Sequence, residues 1–239
     1  MTMNNDFTQA ELKQLFKTLK AHRADELAQR DLAVYEFLLE TGLRISEFAA
    51  STRQDAERWL ADGRLYIAAE KRKGVKGKVL KEAGVVVLDP LTQKAQRVTE
   101  RNAHCYILNN AAAAALRQLL ALNRIVDGPL VVGRKEGMAL SVRSYQARLA
   151  EWAAKAGLPA DASPHWFRHT KARNIMRETV AKDPYAQVAY ALGQSSTASA
   201  RIYATPGRSE LEEEAQRLEG LRSGRQPKRD YLKAVQKCA

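Results

Sequence analysis

Cysteine, acidic residues and long apolar runs are all scarce in this 239-residue sequence. The two cysteines, Cys105 and Cys238, lie far apart and form no C-x-x-C pair, which argues against a disulfide framework and a cysteine-based zinc site. A reducing cytoplasm is the compartment that this usage fits. No apolar run approaches the roughly 18 residues that a membrane span needs, so no membrane partner is expected. The polar start MTMNNDFTQAELKQLF is unlike a secretory signal. Asp and Glu total 27 against 39 for Lys and Arg, a net charge of +12. Such a shortage of acid favours a polyanionic partner, and nucleic acid is the leading candidate. Histidine is rarer still: there are four, and two of them fall within SPHWFRHT, Ser163 to Thr170.

What is present is enough to build a core, since 45% of the residues are hydrophobic. Thr8-Gln-Ala-Glu11 has capping-box spacing, with Leu12, Leu15, Phe16 and Leu19 recurring at helical intervals behind it. A second helix is predicted from about Asp25 to Thr41, stopped by Gly42, and LRISEFAAS starts a short third one. Between Gly63 and Leu108 the texture changes to the strand-like pieces RLYIA, GVVVLD and CYILN, with a hairpin carrying EKRKGVKGK. From Ala111 the pattern is helical again, through AAAAALRQLLALN, SVRSYQARLAEWAAKAG, HWFRHTKARNIM, PYAQVAYALG and SSTASARIYA, to a charged amphipathic helix from Ser209 and a basic tail. The expected fold class is α+β but mainly α, helical with one small antiparallel sheet, and no internal repeat is visible.

His165 and Arg168 are three residues apart, so a helix presents both on one side. His165 and His169 have the spacing of zinc ligands, but a third ligand and the glutamate of a metalloprotease motif are missing, so no metal is expected. The plainer alternative has His165 capping a helix after Pro164 and Arg168 solvated. A second arginine in an equally marked setting favours the functional reading. TGLRISE places Arg44 one turn from Glu47, just after the Gly42 break. The planar fork of arginine matches phosphate geometry, and two arginines can neutralise the charge growing on a phosphate under attack. LGQSSTASARIY offers Tyr203 as a nucleophile.

In this order, TGLRISE, KGVK, HWFRHT and ALGQSSTASARIYA resemble the boxes of the tyrosine recombinase (phage integrase) family. The resemblance spans most of the chain and implies a helical catalytic domain over residues 1–208, followed at 209–239 by a helix and basic tail that dock on a neighbouring subunit, with packing on its own domain as the alternative that the same periodicity fits. It implies that Arg44 and Arg168 clamp the phosphate, with Glu47 as the acidic companion of Arg44. His165 becomes the proton acceptor, His169 its supporting neighbour and Tyr203 the nucleophile. Lys73 best matches the general acid, with Lys71, Lys76 and Lys78 in the same stretch. The family usually has His or Trp where this sequence has Gln194. Glutamine donates a hydrogen bond but does not exchange protons near neutral pH, so slower chemistry is expected. The many members with an amino-terminal DNA-clamping domain are longer, which makes this a short member or an excised catalytic domain. The implied activity is site-specific recombination of double-stranded DNA within a synaptic assembly, through a 3′-phosphotyrosyl link and with no metal or nucleotide cofactor. A type IB topoisomerase and a DNA-binding regulator with little or no catalysis are the alternatives.

Overall fold

Side-chain caps set where most helices begin. The computed structural model describes residues 5–68, 71–72, 86–88, 95–97, 103–133, 137–194, 197–204 and 208–223. Helix α1 spans Gln9–Ala21 and opens on the expected capping box. The Glu11 amide donates to Thr8 Oγ1 at 3.2 Å, and the Thr8 amide donates to Glu11 Oε2 at 2.9 Å, satisfying two amides that the helix itself leaves orphaned. Helix α2, Glu26–Thr41, is capped by Asp25 and stopped by Gly42, whose φ of 65° is a left-handed conformation that costs glycine little. Five-residue α3, Ile45–Ala49, has Arg44 as its N-cap, and α4, Arg53–Asp62, repeats the capping box with Thr52 and Asp55.

Small antiparallel pairing appears as expected, and among the described residues the strands form two antiparallel pairs. Strand β1, Arg64–Ile67, pairs with β4, His104–Ile107, in a register that sets Ile67 opposite His104 and Leu65 opposite Tyr106. Strand β2, Val86–Leu88, pairs with β3, Ala95–Arg97. The β3 sequence AQR has neither alternation nor β-branched residues to announce it. Most of the lysine-bearing hairpin, residues 73–85 with Lys73, Lys76 and Lys78, lies outside the described residues.

Helices α5, Asn110–Leu122, α6, Val142–Lys155, α7, Pro164–Glu178, and α8, Pro184–Ala191, complete the body. Proline at the start of α7 and α8 supplies a φ already suited to a first turn. A 3-10 helix, Thr197–Ala204, and α9, Arg208–Ser223, follow. Among the described residues, no helix is long and apolar enough to cross a membrane.

Helix α2 is buried on most sides and packs on α1, α5 and α7, so it forms the axis of the main core. Phe7 ties the chain start to α7: its ring packs on Trp166 and Phe167, and its amide donates to Thr170 Oγ1 at 2.9 Å. A second, smaller cluster gathers Ala172 of α7, Val188 and Leu192 at α8, and Ala200 and Tyr203 of the 3-10 helix. The two clusters meet where the end of α2 approaches the end of α8. A Cβ on Gly42 would stand 2.5 Å from Leu192 Cδ2, so glycine at 42 is required by contact as well as by φ.

Candidate active site

Arg168 occupies that junction and is 2% exposed, which overturns the solvated alternative. Its Nη1 donates to the Gly42 carbonyl at 2.7 Å and its Nη2 to the Leu192 carbonyl at 3.0 Å. One guanidinium thus closes the C-terminal ends of two helices, where carbonyls lack intrahelical donors and cations are favoured. Trp166 and Phe167, packed into the main core beside it, fix the turn of α7 from which Arg168 points inward.

Arg44 approaches from the start of α3. Its backbone amide donates to Glu47 Oε2 at 3.1 Å and its Nη1 to Oε1 at 2.8 Å. Glu47 is 2% exposed, and a buried carboxylate needs such partners. It has a second one that the sequence reading missed: Arg72 Nε lies 3.8 Å from Glu47 Oε1, and Arg72 Nη2 donates to the Gly193 carbonyl. Arg72 directly precedes Lys73, and its turn toward the buried Glu47 has no local mark in the sequence. Of the four lysines in this stretch Lys71 is described, and its ammonium is engaged with Asp55 of the α4 capping box. The pocket therefore gathers three guanidiniums around one carboxylate. Burial, then the charges of Arg44 and Arg72, push Arg168 down to about 10, against the pull of Glu47 and Tyr203. Arg168 keeps its charge at neutral pH, and three guanidiniums about one carboxylate suit an anion.

The rings stand in a row. His165 is exposed on the first turn of α7, and its ring centroid is 4.6 Å from that of His169. His169 in turn lies 5.4 Å from the Tyr203 ring. The imidazole in ring contact with the tyrosine is thus His169, the residue given the supporting part from sequence. Tyr203 is 5% exposed, and burial holds its phenol above the usual range while Arg168, Arg173 and Arg44 draw it down. Gln194 follows α8; its backbone amide donates to the Ala189 carbonyl at 2.7 Å, and its buried side-chain Oε1 has no partner among the described residues.

His104 is the second residue that sequence reading missed. It is buried on β4, and its ring lies against Gly193, where a Cβ would come within 2.5 Å of the ring. Burial and the charge of Arg72 push its imidazole down to about 4. Burial, then His165, bring His169 to about 4 as well. Unfolded histidine protonates near pH 6.5, so between about pH 6.5 and about pH 4 the unfolded chain binds more protons. Stability should therefore be full above that window and fall on acidification through it, by up to about 2 kcal/mol per residue at about pH 5. Urea unfolding of the parent at about pH 7.5 and about pH 5, beside His104→Asn and His169→Asn, checks this. A parent midpoint that does not move with pH, or variants that keep its full pH dependence, would show that these imidazoles are not held neutral.

Comparison with known proteins adds an independent line. The sequence profile of the phage integrase family matches residues 5–209. Tyrosine recombinase XerC of Neisseria meningitidis serogroup C is 31% identical over 180 residues, which cover 75% of this chain and 48% of that protein. The XerC of Proteus mirabilis is 28% identical over 179 residues, with the same coverage. This chain therefore spans about half the length of these curated relatives. Among solved structures, XerA recombinase superposes with a TM-score of 0.61 at 18% identity, covering 90% of this chain and 64% of that one. The Tn1549 transposon integrase in complex with transposon right end DNA gives 0.62 at 17%, covering 92% and 67%. These two likenesses concern the fold. With its buried arginine at the α2–α8 junction, its second arginine at a helix start and its tyrosine set edge-on to a histidine, the chain belongs to the phage integrase family.

Proposed function

We propose that this chain is a site-specific recombinase that cuts and rejoins double-stranded DNA through a 3′-phosphotyrosyl intermediate. The observation that carries the reading is Tyr203, packed against His169 beside a pocket of three arginines and one buried carboxylate. The scissile phosphate binds between Arg44 and Arg168, whose donors stabilise the charge that grows as the phosphate is attacked. The tyrosine oxygen forms the new P–O bond, and its proton passes to the His165–His169 pair, since a phenol of ordinary pKa near 10 needs a base. The P–O5′ bond breaks, and Lys73 protonates the leaving oxygen. Attack by a 5′-hydroxyl of a partner strand reverses these steps and releases Tyr203, so bond energy is conserved without a cofactor. Gln194 donates to the phosphate without exchanging a proton.

Exposed Leu211 and Leu218 on α9 support a docking role for residues 209–239 in a synaptic oligomer. The exposed free thiol of Cys105 supports action in the reducing cytoplasm. The test of the whole reading is a pool of duplexes with randomised centres, nicked so that cleavage loses a short strand. Incubation should leave a covalent adduct that survives detergent, and its DNA names the site. No adduct from any duplex rejects the reading.

The selected site then tests Lys73. Lys73→Ala should cut ordinary DNA at least about 100-fold more slowly, the lower range for a general acid. It should cut a strand with sulfur at the bridging 5′ position nearly as fast as the parent, because a thiolate leaves without a proton. Lys71→Ala, Lys76→Ala and Lys78→Ala run in parallel decide the register. Lysine variants that all behave alike on oxygen and sulfur would reduce the hairpin to a DNA grip.

A further inference from the structure

Three side chains from three elements hold the last carbonyls of α8 and the turn after it. Arg168 of α7 bonds Leu192, Arg72 after β1 bonds Gly193, and His104 of β4 bonds the backbone of Tyr190. The Tyr190 bond favours the protonated ring, so the acceptor is the carbonyl and the donor is a ring N–H. His104 Nε2 is buried with no partner, which leaves Nδ1 as the nitrogen that donates. The neutral ring therefore presents a lone pair at Nε2. Next to Gly193 in the chain, Gln194 Oε1 is also buried without a partner among the described residues. Two acceptors thus lie near one glycine, and neither has a donor among the described residues. Two such buried groups are costly to leave unpaired, and one added proton on Nε2 would make the first a donor that the second could accept.

We infer that His104 is a positioning residue for Gln194: it takes up a proton from solvent at Nε2 when the scissile phosphate docks, donates that proton's hydrogen bond to Gln194 Oε1, and so aims the Gln194 amide donors at the phosphate. The charged groups that face His104 explain why this waits for DNA. Arg72 after β1 and Arg168 of α7 oppose its protonation, and Glu47 of α3 favours it. Without an anion the arginines and burial prevail. A bound phosphate offsets the arginine charge and leaves the balance to Glu47 and the Tyr190 carbonyl. His104 thereby supplies, one residue removed, the proton equilibrium that glutamine itself lacks.

This inference rests on the proposed reaction, and the test separates the two. Histidine-labelled Tyr203→Phe protein, which cannot form the adduct, is followed by nitrogen NMR with and without the selected duplex at about pH 6.5. The His104 signal, assigned by its loss in His104→Asn, should move from the neutral to the imidazolium pattern on binding. In single-turnover cleavage His104→Asn, whose amide can keep the Tyr190 bond, should be about 10- to 100-fold slower, the scale of a hydrogen bond to an ionised group. It should also lose the fall in rate that the parent shows as pH rises. Gln194→Ala should be slowed to a similar degree, and His104→Asn should add no further loss in that background, because the two residues act as one unit. A parent that forms no adduct defeats the proposed reaction. A parent that forms it while His104 stays neutral, as a simple turn of the Gln194 amide toward Nε2 would allow, overturns this inference alone. Additive losses, or parallel pH profiles, overturn it as well. Should His104→Asn fail to fold, the NMR comparison still decides, with the assignment made by selective labelling.

Discussion

Tyr203→Phe should abolish covalent capture of DNA while leaving binding and folding intact. The ring belongs to the small cluster with Ala172, Val188, Leu192 and Ala200 and meets the edge of His169. Phenylalanine keeps both contacts and removes only the attacking oxygen. Losing an enzyme nucleophile costs on the order of 10⁴-fold or more, so the adduct should vanish from a denaturing gel. A gel-shift titration should give an affinity close to that of the parent. A surviving adduct would move the nucleophile elsewhere. Tyr185, which packs on the same cluster, and Tyr190, half-exposed beside the Tyr106 ring, would be tested next, with Tyr231 outside the described residues.

The two arginines proposed to clamp the phosphate should fail in different ways. Arg168→Ala empties a buried position and strands the carbonyls of Gly42 and Leu192 between the two clusters. Lost packing and unpaired polar groups of this kind cost about 3–5 kcal/mol, a large part of the 5–15 kcal/mol typical of a whole domain. Arg44 is more exposed, and its removal leaves Glu47 beside Arg72. Arg44→Ala should therefore lose much less stability. Both should slow cleavage by at least about 100-fold, the scale for removing a donor to developing charge. Arg168→Lys should not recover the parent, because a single ammonium lacks the fork that spans two carbonyls. Urea unfolding and single-turnover cleavage of the three variants read this out. Equal stability of Arg44→Ala and Arg168→Ala would remove the bridging role, and parental cleavage by either would remove that arginine from the clamp.

Local chemistry accounts for what was legible beforehand. The capping box at Thr8 and the glycine stop at 42 act within one turn, and both appear as read. Arg44 was marked by the helix start behind that glycine, and the spacing of His165, Arg168 and His169 follows from helical period. What escaped notice depends on distant partners. His104 enters the site because cross-strand register sets it opposite Ile67, and no neighbour in sequence announces that pairing. Arg72 enters the site by its reach to Glu47 and Gly193, again a tertiary matter. The segment ending in Tyr203 was read as helical and forms a 3-10 helix, the tighter form that short runs adopt.

The seat of Tyr203 also sets a stoichiometry. Its cluster is made by α7, by the end of α8 and by its own 3-10 helix, and the same two helices deliver Arg168 and Gln194. Nucleophile, clamp and turn are therefore carried by one chain and move as one packed body. In the proposed reaction each copy cuts with its own tyrosine, and the number of broken strands equals the number of engaged copies.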